Sequence, residues 1–511
     1  MQNSMPLVLY YRKFKSDTPM KINASQYLIP RIQDIFFVTL FIMVLLLGPT
    51  MLNLDGDFPR HLLTGKYILE NKQVPTTELF IHPYQNRHST SHSSEWLSDL
   101  SLYLTYKYTG LAGVVALCAL IIAATFTLLY NHISLQHSLR LPTFLIAIWG
   151  AGATSLNWVT RPHLVSMLLL AVILIWADDL RRGKKVPLWR FPAIMLLWSN
   201  LHGEFIAGIL VLIAYAVGWV IDYALNQEAP TPEYGTKIWS ALALSLLASL
   251  LNPGGIGPWV GVLGFVNNQY LMSRMLEANS PNFQIPEMKV LLGLLAISVF
   301  LLAIKKEKLS ASQGLTLAGF SAMSLMATRN IHLFGVVAPF ILADTFSGLR
   351  NLPLLNRLEN TLQNIEGQLK GIFWPAVATL CLSIFVITNG ITQKLYAFSP
   401  SMFPIEAVEW LEENPQKGKM FNNLDWGGYL ALQLWPEQLT FIDSMADVTG
   451  EVTLQYEIII TTSAGWEKIF FEQHNIEWII VPPDSPLVNA LRDEHQWKIE
   501  YEDQTAIILK K

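Results

Sequence analysis

The chain alternates long apolar runs with short polar breaks. A helix needs roughly 20 apolar residues to cross a bilayer. Runs that suit this lie near 35–53, 111–130, 142–158, 163–178, 191–201, 204–223, 237–251, 288–304, 310–328, 332–347 and 371–390. That predicts about eleven membrane spans, the fifth being the shortest. The stretch "EWLSDLSLYLTYKY" (95–108) has a different pattern, with Trp96, Leu100, Tyr103 and Lys107 at helical spacing. Trp and Tyr favour the headgroup level, so an interfacial helix is expected there. A buried helix of the extramembrane part would fit the same spacing. Beyond residue 390 the runs shorten, and "KMFNNLDWGGYLALQL", "LTFID" and "IEWIIVPP" read as short strands and helices of a small α/β domain.

Composition agrees with this pattern. Hydrophobic residues make up 52% of the 511, charged residues only 14%, and the mean hydropathy is +0.34. Soluble proteins carry about 25% charged residues. The net charge of -4 and the lack of a basic tail give nucleic acid no footing. The two cysteines, Cys118 and Cys381, each sit inside an apolar run and imply no disulfide framework. No small-residue cleavage site follows the first run, so it reads as a retained span.

Charge then predicts orientation. "RKFK" (12–15), "RRGKK" (181–185), "KKEK" (305–308) and Arg350 with Arg357 all fall on the side of the N-terminus. The positive-inside rule makes that side cytoplasmic. The expected organisation is a cytoplasmic segment 1–34, a membrane domain 35–390 with outer loops 54–110 and 252–287, and an extracytoplasmic domain 391–511.

With that topology the unusual polar residues gather at one membrane depth. Asp55 and Asp57 in "LDGDF" end the first span on the outside. "RPH" (161–163), "WSNLHGEF" (198–205), "LNPGG" (251–255), Glu277 and "TRNIH" (328–332) fall on other outer turns. Span centres hold almost no ionisable group; Asp178, Asp222 and Asp344 lie toward the inner ends. Singly, Arg161 or Arg329 reads equally as a snorkelling helix anchor, and His163, His202 and His332 as ordinary interface residues. Together they suit a phosphate-bearing ligand. Arg161 and Arg329 offer planar donors to a phosphate leaving group, and a carboxylate is needed to deprotonate an acceptor hydroxyl. Asp55, Asp57 and Glu277 are also hard oxygen ligands for Mg²⁺ or Mn²⁺.

The order of span, D-x-D, "HLLTGKYILE…VPTTELF…SSEWLSDL", "RPHLVS", "WSNLHGEFIAG", "LNPGG" and "RNIHLFGVVAPF" resembles bacterial integral membrane glycosyltransferases of the GT-C type. It runs over most of 50–345, with "FNNLDWGGYL" and "FIDSMADVTGE" adding to it in the tail. The resemblance implies a mainly α, multi-pass fold in the bacterial inner membrane. It also implies transfer of a sugar from a polyprenyl-phosphate carrier to a glycan, lipid or protein acceptor on the outer face, usually with inversion. The catalytic acidic motif maps to Asp55 and Asp57, with Asp57 the expected general base and Asp55 orienting it or binding metal. Many relatives have bulky aromatics after that motif, where this chain has "FPRH" with Pro59 and Arg60. Arg329, with His332 or Arg161, would stabilise the carrier phosphate. His202, Glu204 and Glu277 would bind sugar or acceptor, and His163 and Asn330 would contact substrate beside them. Two other classes share the span pattern, a lipid-linked saccharide transporter and a non-catalytic assembly protein of envelope polysaccharide. Transporters, however, tend to place ionisable groups near the midplane.

Overall fold

The computed structural model describes residues 25–54, 56–85, 91–225, 231–304, 309–444 and 450–511. Asp55 and the basic stretches at 12–15 and 305–308 lie outside the described residues. The fold is a membrane helix bundle with a small C-terminal α/β domain. Each predicted span falls on a helix. In chain order the helices used below are α1 (Ile32–Asn53), α2 (Asp57–Asn71), α3 (Ser91–His137), α4 (Arg140–Thr154), α5 (His163–Arg181), α6 (Arg190–Leu201), α7 (Phe205–Ala224), α8 (Pro232–Ala248), α9 (Lys289–Ile304), α10 (Ala311–Met326), α11 (Ile331–Leu342), α12 (Pro353–Glu366) and α13 (Phe373–Thr388). Among the described residues, five helical segments are long and apolar enough to cross a membrane: Ile32–Asn53, Ser94–His137, His163–Arg181, Phe205–Ala224 and Pro286–Ile304.

The local sequence explains the helix ends. Gly110 takes φ 66°, ψ -170° and kinks α3. A residue with a Cβ would resist that backbone conformation. The kink separates the predicted 95–108 helix from the span after it. In that first half Trp96, Leu100 and Tyr103 are half-buried and Lys107 is exposed. Pro162 precedes α5, and His202, in extended conformation, ends α6. Ser310 caps α10 by accepting from the Gln313 amide, while Gln313 reaches back to Ser310, a reciprocal capping box. The amphipathic α12 supplies caps to other helices. Its buried Glu359 accepts from the Arg140 and Leu141 amides at 2.7 and 2.8 Å, and Glu366 accepts from the Ile32 amide at 2.8 Å. These are first-turn N–H groups that α4 and α1 cannot pair internally.

A single apolar core runs through the bundle, with Phe41, Phe126, Met167, Trp198, Phe205 and Phe334 fully buried. At the bundle end away from the C-terminal domain, Asp178 and Asp344 tie Arg181 and Arg182 together, with Arg182 2.7 Å from Asp344. Asp222 accepts from the Ala311 amide at 3.0 Å there.

The C-terminal domain holds four strands, β1 (Lys419–Asn422), β2 (Ile476–Val481), β3 (Lys498–Glu502) and β4 (Ile507–Lys510), in the order β1-β2-β4-β3. β1 and β2 are parallel, whereas β4 runs antiparallel to both neighbours. Trp478 and Ile480 face one core and Ile479 and Val481 the other, so both faces of the sheet are covered. "LTFID" is not part of this sheet. Thr440 bridges to Ile81 of the first loop, its amide bonding the Phe80 carbonyl and its carbonyl the His82 amide. The domain is thereby stitched to the loop that follows α1.

Candidate active site

Asp57 is the first residue of α2, next to Gly56, where the free N–H groups of a helix end favour a carboxylate. It is only 8% exposed. Its Oδ2 pairs with Arg161, and its Oδ1 accepts a hydrogen bond from the Ser444 hydroxyl. Arg161 stands just before α5. It uses one terminal nitrogen on Asp57 and the other, at 3.3 Å, on Glu277. The other oxygen of Glu277 lies 3.5 Å from Arg329. Charges thus alternate along Asp57, Arg161, Glu277 and Arg329, drawn from four segments far apart in sequence.

Two main-chain contacts fix the second half of this chain. Thr328 donates its hydroxyl to the Glu277 carbonyl at 3.0 Å and its amide to the Asn279 carbonyl at 2.9 Å. The turn carrying Glu277 is therefore zipped to the turn carrying Arg329. Asn330 points elsewhere: its amide donates to the Met323 carbonyl at 3.1 Å, near the end of α10.

A second cluster lies beside the first. His332 Nε2 is 3.0 Å from Glu204, and His202 Nδ1 is 3.4 Å from the same oxygen. The other nitrogen of His202 is 3.4 Å from Glu95. The His163 ring, two residues from Arg161, is 5.1 Å from that of His332, and its Nε2 lies 2.6 Å from the Asn157 carbonyl. Trp198 supports the group by donating at 2.9 Å to Ser166, which is 3.0 Å from His202. Burial alone would raise the Glu204 carboxyl, but His332 and His202 outweigh it and hold Glu204 well below the usual carboxylate range.

The C-terminal domain contributes residues that the sequence reading did not assign. Arg60 is fully buried and pairs with Asp443 at 2.6 Å and Glu78 at 2.8 Å, its guanidinium 3.9 Å above the Phe80 ring. Asp443 precedes Ser444, so this buried pair holds the turn that touches Asp57. A Cβ on Gly428 would strike the Gly56 carbonyl, and the absence of one lets the domain's main chain rest against the start of α2. The departure "FPRH" thus has a local meaning: Pro59 is tolerated in the first helical turn, and Arg60 locks the C-terminal domain in place.

For a divalent cation the fit is poor. Among the described residues no group of three His, Cys, Asp or Glu side chains is arranged to hold a metal ion, and Arg161 already bridges Asp57 and Glu277. Asp55 lies outside the described residues.

The sequence matches no family model, and no curated protein matches it. Among solved structures, the fold is similar to that of the Archaeoglobus fulgidus oligosaccharyltransferase in its apo form, with 11% identity and a TM-score of 0.51. The match covers 87% of this chain and 69% of that one. The same enzyme tethered by a disulfide to an acceptor peptide with an NVT sequon gives 11% identity, a TM-score of 0.51, and coverage of 87% and 68%. ArnT from Cupriavidus metallidurans bound to undecaprenyl phosphate aligns over 93% of this chain and 97% of that one, at 12% identity and a TM-score of 0.45. The likeness to the oligosaccharyltransferase establishes the GT-C fold.

Proposed function

We propose that this chain is a membrane glycosyltransferase that moves a sugar from a polyprenyl-phosphate carrier to an acceptor hydroxyl or amide, with inversion, on the outer face of the membrane. The observation that carries this reading is the alternating chain Asp57–Arg161–Glu277–Arg329, next to the end of the first membrane helix. A substrate with its tail in the bilayer presents its phosphate at that depth. Arg161 and Arg329 would take the phosphate through charge-assisted hydrogen bonds. Asp57, held at a helix N-terminus, would accept the proton of the incoming acceptor, which takes the place of the Ser444 hydroxyl. Arg161 touches Asp57 with one edge of its guanidinium, so base and phosphate would lie on two edges of one rigid plane. Inversion would have the acceptor attack the anomeric carbon from the side opposite the departing phosphate. His202, Glu204 and His332 would bind sugar hydroxyls. The bulk of the C-terminal domain would cover the acceptor side. The basic loops support the outward orientation, and a bacterial inner membrane is the setting the motifs suggest. Asp55 would orient Asp57.

The test uses purified full chain in detergent with a labelled polyprenyl-phosphate sugar and a membrane extract as acceptor source. Cleavage of the sugar–phosphate bond with release of polyprenyl phosphate supports the reading. Movement of the intact lipid across a vesicle without cleavage identifies a transporter, and binding with neither identifies an assembly protein. Repeating the assay with EDTA and with added Mg²⁺ or Mn²⁺ decides the metal.

A further inference from the structure

We infer that Glu277 is a specificity-determining residue that occupies the phosphate subsite when no donor is bound. This rests on the proposed assignment of Arg161 and Arg329 to the carrier phosphate. One carboxylate presents its two oxygens to two different arginines, Oε2 to Arg161 at 3.3 Å and Oε1 to Arg329 at 3.5 Å. A phosphate bridging the two turns would meet the same pair of guanidinium groups. Both contacts exceed the 2.7–2.9 Å usual for a charge-assisted bond, so the carboxylate holds the two arginines loosely. The side chains of Glu277 and Arg329 are each 34% exposed and that of Arg161 21%. Ion pairs this open to water are weak, and a stronger ligand displaces them at small cost. The main chain stays in place, because Thr328 bonds the Glu277 and Asn279 carbonyls. The Glu277 side chain can swing aside without moving its turn.

The arrangement answers a problem peculiar to this location. Two arginines at the headgroup level face phosphodiesters of the bilayer in great excess over any carrier. A resident carboxylate lowers their affinity for every phosphate alike. A donor that also engages the sugar-binding histidines and Glu204 recovers the loss, whereas a phospholipid does not. The expectation is opposite to that for Glu277 as a metal ligand or sugar contact, for which removing its charge weakens binding.

The experiment measures binding of a short-chain polyprenyl phosphate to the full chain in detergent, for wild type, Glu277→Gln, Glu277→Asp, Arg329→Ala and the Glu277→Gln/Arg329→Ala double variant. Inorganic phosphate and phosphatidylglycerol serve as competitors. Glu277→Gln should tighten polyprenyl phosphate binding about three- to tenfold and let phosphatidylglycerol compete where it did not before. Glu277→Asp keeps the charge but reaches less far, and should fall between. The gain should vanish in the double variant. Competition by inorganic phosphate as strong as by phosphatidylglycerol would locate the effect in the phosphate alone; competition confined to phosphatidylglycerol ties it to the lipid headgroup, and both support the inference. Unchanged or weaker binding by Glu277→Gln, with Arg329→Ala impaired, overturns the inference and leaves the phosphate assignment standing. Wild-type binding by Arg329→Ala removes the phosphate assignment and the inference with it. Equal melting temperatures of wild type and Glu277→Gln show that the comparison is between folded proteins.

Discussion

At the scale of single residues, the two arginines are the most exposed to test. Arg329→Lys keeps the charge but loses the planar pair of donors. Transfer should drop about ten- to a hundredfold, the equivalent of losing one charge-assisted contact, while the protein melts as wild type does. Normal transfer by Arg329→Ala would make Arg329 a helix anchor. Ser444→Ala should leave folding intact and change the acceptor KM more than kcat, since the hydroxyl only holds the acceptor's place on Asp57; an equal fall in folded yield and activity would point to a structural role. Asp57, Arg161, Glu277, Arg329 and the His202–Glu204–His332 group were legible because each interrupts an apolar pattern with a group the bilayer disfavours. Ser444 and Asp443 were not, although both lie within "FIDSMADVTGE". A soluble domain has many serines and aspartates, and nothing local says that one of them folds back onto a carboxylate 387 residues earlier. Asn330 shows the reverse: it lies within a telling motif, yet its amide serves a neighbouring carbonyl.

At the scale of elements, two contacts hold the site's supports. Arg60 is buried between Asp443 and Glu78. Arg60→Met would take the shared cation from two buried carboxylates and should cost about 3–5 kcal/mol, read as detachment or early melting of the C-terminal domain, for example by faster proteolysis between 391 and 418. Glu359→Ala should lower the melting temperature of the bundle through loss of the α4 cap, at about 1–2 kcal/mol, without altering donor binding. The seam between the first loop and the C-terminal domain adds a pH dependence. Burial pushes the His82 and His474 imidazoles down to about 4. The folded state therefore holds both neutral, a contribution fully present above the ordinary histidine value of about 6.5. It is lost as pH falls from there to about 4, at no more than about 1.4 kcal/mol per histidine per pH unit. Melts of wild type should steepen their decline over that window relative to a His82→Gln/His474→Gln variant; parallel curves would contradict it. The helices themselves were plain from apolar runs, and Gly110 explains why the 95–108 pattern broke from the span after it. The short helix Gly257–Asn267 in the second loop was not foreseen. Its eleven residues are too few to cross a membrane, and a short apolar run between turn residues carries no clear period.

At the scale of the whole molecule, the account requires the Asp57 end of the bundle to face outward. In a Cys118→Ala/Cys381→Ala background, a cysteine at the exposed Ser463 should react with an impermeant thiol reagent in spheroplasts, and one at the exposed Lys185 should not. The opposite pattern would move the site to the cytoplasmic side. The GT-C architecture could be read in advance because it consists of apolar runs and the polar turns between them; the docking of the C-terminal domain could not, because it depends on Arg60, Gly56 and Gly428 meeting across the full length of the chain. Everything proposed about chemistry converges on Asp57. The direct measurement is single-turnover sugar transfer from a polyprenyl-phosphate donor by wild type and Asp57→Asn, matched for melting temperature and for donor binding. Removal of a general base costs about 10²–10⁴ in rate, and a fall of that size with donor binding retained is the predicted result. Turnover by Asp57→Asn at the wild-type rate would contradict the central claim.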